Sequence, residues 1–439
     1  ANLAARRSNV SVATEVSNSS ASATDVSVVH EVKDAEGAVL REFSSSPQTI
    51  PAGETKKIDA VTGGKDDVGS MLTGLDLWSP DNPALYSVTT TVVTDSTADG
   101  VIGADAEAVD SFDTEFGFRS AQWRNDGFYL NGAKTLLVGA NAHQDQGGWG
   151  NAVADEGFVR DLTQLKEAGM NLARGAHYPH DPSYTKAADR LGVMVWDEGV
   201  FWGFGGKAGI NDDAQLRPSD WLKDSYPQRS ADWEKFDQSV LTALEAMIRV
   251  DRNRPSVINW SVGNEAIFTS NATLGRTKAL ISRARDLGHQ LDPTRKTGMG
   301  GAQRQDIDML SVSDIAGYNG DGGAFKTQCT GPTQTISCRK FAVPSLVSEH
   351  NVAGENRPGT FGSAWGFLST NGTSNEGTKG RQFETGKFTL QPNSAGMALW
   401  AGFNHGTIGS AQLSRPGMSD YYRLPKNLWY WYRENRSNW

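Results

Sequence analysis

Pro255-Ser-Val-Ile-Asn-Trp-Ser-Val-Gly-Asn-Glu265 is a short apolar run, opened by proline and closed by an acid. A second run, Val343-Pro-Ser-Leu-Val-Ser-Glu349, has the same make-up. Short runs of this kind, rich in β-branched residues and bounded by turn formers, are how buried parallel strands read. An acid at the C-terminal end of such a strand lies on the face where (β/α)8 barrels carry their chemistry. Burying one bare carboxylate is costly, and two close together cost more, so the pair is read as catalytic rather than structural.

Outward from these two strands the rest of the barrel falls into place. Thr135-Leu-Leu-Val-Gly-Ala140 reads as a first strand, and residues 156–168 as a helix with Phe158, Val159, Leu162, Leu165 and Ala168 on one face. The strand 170–174, the helix 181–191 and the strand 193–198 follow. A helix over 239–250 precedes the strand ending at Glu265, and a helix over 275–287 precedes Thr297-Gly-Met-Gly300. Strands ending at Tyr318, Glu349 and Trp400 complete eight βα units, which fits a closed barrel over 119–439. Residues 1–118 differ: 10–16, 25–32 and 86–93 alternate apolar and polar side chains between Ser, Gly, Asn and Pro clusters. That pattern reads as an antiparallel, immunoglobulin-like β-sandwich.

The bulk numbers exclude several functions. At 439 residues the chain suits two domains, one of them large. A net charge of -9 and scattered Lys and Arg argue against a nucleic-acid partner or an anionic membrane surface. No apolar stretch approaches the roughly 20 residues of a membrane helix. The two cysteines, Cys329 and Cys338, enclose a polar, turn-rich loop and read as a disulfide or as two free thiols. The disulfide would place the protein outside the cell, with any signal peptide absent from this numbering. Gly203-Phe-Gly205-Gly-Lys-Ala208 matches a loose dinucleotide fingerprint, but no clean helix follows it, so it reads as a barrel loop.

Several motifs carry a resemblance: Phe116-Gly-Phe-Arg119, Leu130-Asn-Gly132, Gly139-Ala-Asn-Ala-His143, Asn171-Leu-Ala-Arg-Gly-Ala-His-Tyr-Pro179, Val195-Trp-Asp-Glu198, Asn264-Glu265 and Ser348-Glu349. In this order they resemble glycoside hydrolase family 2, the family of bacterial β-galactosidases and β-glucuronidases. The resemblance implies a retaining exo-β-glycosidase, most nearly β-galactosidase-like, acting on oligo- or polysaccharide. Glu265 would be the general acid/base and Glu349 the nucleophile. It further implies Arg174 and Tyr318 as donors to Glu349, with the Tyr318 hydroxyl reaching it. Asn264 would bind the sugar 2-hydroxyl, His143 and His177 would contact the ring, and Trp400 would floor it. Glu198 is read either as a substrate ligand or as a group orienting a neighbour. Trp149, Trp202 and Trp365 fall in expected loops at outer subsites.

Two departures accompany the resemblance. Where metal-dependent relatives carry an acid and a histidine after strand three, Trp202 and Phe204 stand here, so no catalytic magnesium and no other cofactor is expected. The chain also starts directly at the sandwich, without the family's usual N-terminal sugar-binding domain, so it reads as a fragment, a processed piece or a naturally shortened form, the first two with that domain as a missing partner. The sugar stays open among galactoside, glucuronide, mannoside, glucosaminide and furanoside. A catalytically silent carbohydrate-binding barrel is the alternative of another class.

Overall fold

The computed structural model describes residues 5–62, 71–94, 106–202, 225–227, 229–266, 269, 273–302, 312–319, 342–352, 392–406 and 416–436. It divides into two compact units, Ala1–Ser120 with Asn253–Pro255, and Ala121–Arg252 with Ser256–Trp439. Cys329, Cys338, Phe204, Trp365 and the Gly203–Ala208 stretch lie outside the described residues.

The first unit is sheet-rich. Its strands are β1 (Ser11–Ser17), β2 (Thr24–Lys33), β3 (Val39–Ser44), β4 (Gln48–Ile50), β5 (Thr55–Val61), β6 (Tyr86–Thr94) and β7 (Glu107–Phe116). One antiparallel sheet runs β3-β2-β6-β7 with β4 also on β2, and β1 pairs with β5 in a second. The period-two pattern explains the arrangement: Val26 and Val28 of β2 turn the same way and pack with Ile50, Ile58 and Val92, with Val16 of β1 against them. A second cluster gathers Val10, Val32, Leu72, Leu75, Tyr86 and Val88.

The second unit opens with a small antiparallel sheet, β8 (Ala121–Arg124), β9 (Gly127–Leu130) and β10 (Ala133–Thr135). Trp123 of β8 donates to the Ile258 carbonyl (3.2 Å) and meets Trp196 edge-on, 5.9 Å between ring centres. Eight parallel strands then close a barrel in sequence order: β11 (Leu137–Ala142), β12 (Leu172–Gly175), β13 (Met194–Trp202), β14 (Val257–Asn264), β15 (Thr297–Gly300), β16 (Ile315–Asn319), β17 (Ser345–Val352) and β18 (Ser394–Trp400). Helices α1 (Asp155–Glu167), α2 (Pro182–Leu191), α3 (Trp233–Asp251) and α4 (Leu274–Leu291) alternate with them. Among the described residues no helix is long and apolar enough to cross a membrane.

Helix α2 shows why the boundaries were legible. Asp181 caps it by accepting from the Ser183 amide (2.8 Å), Pro182 fills the first turn and Gly192 ends it at φ 70°. Tyr184, Ala187 and Ala188 form its buried face.

Three boundaries differ from expectation. α3 begins at Trp233, six residues before Ser239, because Trp233 and Phe236 continue its apolar face against Phe201 and Tyr226. α4 runs on through Gly288, where a Cβ would come within 2.8 Å of the Thr297 methyl, so the glycine serves close packing rather than a stop. β13 continues past Glu198 to Trp202 through a register shift between Glu198 and Phe201. Trp202, expected in a loop, is therefore the last residue of a strand, opposite Asn264.

Candidate active site

The C-terminal ends of β11 to β18 converge on one polar cluster, and Arg174 is its centre. Its side chain has no solvent exposure. Nε and Nη2 donate to both Glu198 oxygens (2.9–3.0 Å). Nη1 donates to Asn141 Oδ1 (2.7 Å), the Ser348 carbonyl (3.1 Å) and Glu349 Oε1 (3.0 Å), and Nη2 also reaches Asn264 Oδ1 (2.8 Å). All three guanidinium nitrogens are engaged. A buried charge is tolerable only when it is paired and bonded in this way.

Glu198 is saturated too. Besides Arg174 it bonds His177 Nδ1 (3.0 Å), Trp196 Nε1 (3.2 Å) and the Ser261 hydroxyl (2.9 Å). Burial pushes its carboxyl up, but Arg174 and the His177 hydrogen bond outweigh that and hold it below the usual range. Of the two readings of Glu198, this arrangement fits the orienting one.

Glu349 sits where β17 bulges. Tyr318 of β16 pairs with Val347, but Asn319 pairs with Glu349, so Ser348 is an extra residue. The bulge turns the Ser348 carbonyl to Arg174 and Asn141, and Glu349 Oε1 to Arg174. Burial pushes the Glu349 carboxyl up, Arg174 pulls it down and the charge of Glu265 pushes it up again; the net direction is upward. Glu265 follows β14 in the left-handed region, φ 50°, rare for a residue with a side chain and found mostly where function holds the backbone. It accepts from Asn319 Nδ2 (2.9 Å). Gly300 makes room for the set: a Cβ there would fall 2.4 Å from Arg174 Nη2 and 2.5 Å from Asn264 Oδ1.

An aromatic group lines the rest of the mouth. His177 lies parallel to Trp400 (4.9 Å, 9°) and to Trp202 (5.7 Å, 17°). His143 stacks on His405 at 4.1 Å and meets His177 and Trp400 edge-on. Burial pushes His143 and His405 below the ordinary imidazole value and His177 down to about 4, so all three are neutral at neutral pH. Loop β11–α1 is anchored by Arg423, which bonds Asp161 (2.9 Å) and the Asp145 carbonyl (2.9 Å).

Contacts among the described residues bring eight of the nine expected carbohydrate-site residues together here: His143, Arg174, His177, Glu198, Asn264, Glu265, Glu349 and Trp400. Tyr318, near the end of β16, is 2 % exposed and belongs to the barrel's apolar core cluster with Trp260, Val262 and Val347. Asn319, one residue on, faces the mouth and bonds Asn264, Glu265 and Ser348. Trp149 is 64 % exposed on the loop after β11 and makes no part of the cluster.

The sequence reading missed Asn141, Asn319, Ser348 and His405. Asn141 and Ser348 stood inside motifs already quoted, and Asn319 stood one residue past Tyr318. His405 lies past the last strand and carried no signal.

With this geometry in view, comparison with known proteins decides the family. Residues 122–374 match the model for the glycosyl hydrolases family 2 TIM barrel domain, and residues 1–119 match a second glycosyl hydrolases family 2 model. The chain belongs to glycosyl hydrolase family 2. A putative β-glucuronidase of Formosa agariphila is 30 % identical over 228 residues, 51 % of this chain and 23 % of that protein. A β-galactosidase of Thermoanaerobacterium thermosulfurigenes is 26 % identical over 377 residues, 83 % of this chain and 44 % of that protein. The chain thus spans less than half the length of either relative. Bacteroides uniformis β-glucuronidase has the same fold, with a TM-score of 0.74 at 22 % identity over 98 % of this chain and 48 % of that one.

Proposed function

We propose that this family 2 chain hydrolyses terminal β-linked sugars by a retaining mechanism, with a neutral, galactose-like glycone. The observation that carries the reading is the bond from Arg174 to Glu349 beside an acid, Glu265, whose charge acts on it. Two carboxyls so coupled share one proton at neutral pH. Burial and the Glu265 charge push the Glu349 carboxyl up; against that push, the anion is assigned to Glu349, the carboxyl that Arg174 bonds, and the proton to Glu265.

In the first step Glu349 attacks the anomeric carbon, and an ester forms as the glycosidic C–O bond breaks. Glu265 gives its proton to the departing oxygen. In the second step Glu265 takes a proton from water, whose oxygen attacks the same carbon and releases Glu349. Asn264 has its carbonyl end engaged by Arg174 and Asn319, so its amide is the end available to the 2-hydroxyl. That contact strengthens in the transition state. Trp400 offers an apolar face to the sugar ring.

The relatives bear names of both galactosidases and glucuronidases. A neutral glycone is favoured by the charges around the mouth. Among the described residues there, the guanidinium nitrogens of Arg174 are all engaged and the histidines are neutral, which leaves a sugar carboxylate without a cation. An extracellular location, resting on the Cys329 and Cys338 pair, belongs to the same proposal.

The test is a panel of aryl β-glycosides, with a 2-deoxy-2-fluoro glycoside of the cleaved sugar as trap. Galactoside cleavage with the label on Glu349 is the expected result. Glucuronide cleavage overturns the glycone, and turnover with no covalent label overturns the retaining mechanism. A panel without turnover, with sugar binding retained, turns the reading to a silent binding barrel.

A further inference from the structure

We infer that the Ser348 hydroxyl positions the acid/base: by donating to Asn319 Oδ1 it holds that amide so that its nitrogen, and not its oxygen, faces Glu265. The inference rests on the hydrolase reading above and concerns a residue that touches neither the sugar nor the reacting atoms.

An asparagine side chain presents a donor and an acceptor of nearly the same shape, so its direction is set by its neighbours. Asn319 is 2 % exposed and Ser348 fully buried, so water does not offer an alternative. Ser348 Oγ lies 2.7 Å from Asn319 Oδ1, an acceptor, and the hydroxyl must be the donor. Asn319 Nδ2 is then left for Glu265 Oε1 at 2.9 Å and Asn264 Oδ1 at 3.1 Å. Asn264 Oδ1 already accepts from Arg174, so the two ends of the chain Ser348–Asn319–Asn264–Arg174 agree on one orientation. The bulge beside Glu349 turns Ser348 into this position, so the strand that carries one carboxylate directs a donor onto the other.

A donor on a carboxylate favours its ionised form. Glu265 must lose its proton in the first step and act as a base in the second, and the Asn319 amide supports that ionised state. Without the Ser348 hydroxyl, Asn319 Oδ1 loses this buried donor, and the hold of the amide on Glu265 is weakened to what the Asn264–Arg174 end of the chain supplies. Glu265 then holds its proton to higher pH. Glu349 on β17, whose carboxyl feels the charge of Glu265, and Arg174 and His177, which contact Glu349, all keep their side chains in the substitution.

The test compares the full chain with Ser348→Ala, Ser348→Cys and Ser348→Thr, reading kcat/KM against pH on whichever aryl glycoside the parent cleaves. The alkaline limb is expected to move up by about 0.5–1 pH unit in the Ala and Cys variants and to return in Thr. A lower but unshifted profile in both overturns the inference, since a merely structural role lowers activity without moving the limb. Titration of 13C-labelled glutamate carboxyls by NMR, with Glu265→Gln marking the resonance, gives a second reading that needs no turnover. An unchanged Glu265 midpoint in the Ala and Cys variants overturns the inference. If the parent cleaves nothing, the hydrolase reading fails by itself and the NMR result still decides whether Ser348 governs Glu265.

Discussion

Arg174 and Glu198 meet at the ends of the adjacent strands β12 and β13 with neither side chain exposed, joined by three hydrogen bonds of 2.9–3.0 Å. Glu198 is the counter-ion that lets a guanidinium lie at the base of the site and still reach Glu349 and Asn264.

Removing one partner of a buried pair leaves the other charge uncompensated, which costs about 3–5 kcal/mol. Arg174→Met is expected to lose that much in urea unfolding at pH 7, and Arg174→Lys to lose less because charge is kept while the planar fork is not. A loss below about 1 kcal/mol in the Met variant contradicts the assignment of Arg174 as the buried counter-charge.

Gly300→Ala adds a single methyl where there is no room for it. Arg174 is pinned by its partners and cannot swing away, so the methyl must displace either its guanidinium or Asn264. Misplacement of about 1 Å in a site of this kind costs on the order of 10²-fold in rate. Steady-state kinetics should show the fall in kcat, and activity within a factor of a few of the parent rules out the tight fit described here.

Glu265→Ala removes the proposed proton donor while leaving Glu349 in place. For a poor leaving group the loss is expected at about 10²–10⁴-fold, the usual contribution of general acid catalysis. An activated dinitrophenyl glycoside needs no proton, so its glycosylation step should be nearly spared. Equal losses on both substrates would falsify the acid role.

His180 stacks on Tyr184 at 4.7 Å beneath the mouth, and burial pushes it down to about 4. The unfolded imidazole titrates near 6.5. Between these values the unfolded chain binds the extra proton, so this contribution is complete above pH 6.5 and is lost as pH falls toward 4. His180→Phe is expected to recover about 2–3 kcal/mol of the stability lost between pH 7 and 4.5. Parallel stability curves for parent and variant count against a neutral His180.

The barrel was legible because its strands are short, apolar and set between amphipathic helices with ordinary caps, as Asp181, Pro182 and Gly192 show for α2. The acids were legible for the same reason: Glu265 and Glu349 stand where apolar runs stop. What period alone does not reveal is local register. At the end of β16, hydropathy alone does not say that Asn319 bonds Asn264 and Glu265. The bulges at Glu198–Phe201 and at Ser348 alter pairing by residues that leave no mark on hydropathy. Asn141 is a related case: its side chain matters through the carbonyls of Ser348 and Leu399, far along the chain, and no pattern within β11 announces that.

The saturation of Arg174 has a consequence for working conditions. Dissolved ions screen charges that face water, over about 8 Å at physiological ionic strength. Arg174 and Glu198 have no such face, and an uncharged sugar has nothing to be steered by. Turnover on a neutral glycoside is therefore expected to stay level from dilute buffer to concentrated brine, for as long as the fold itself holds.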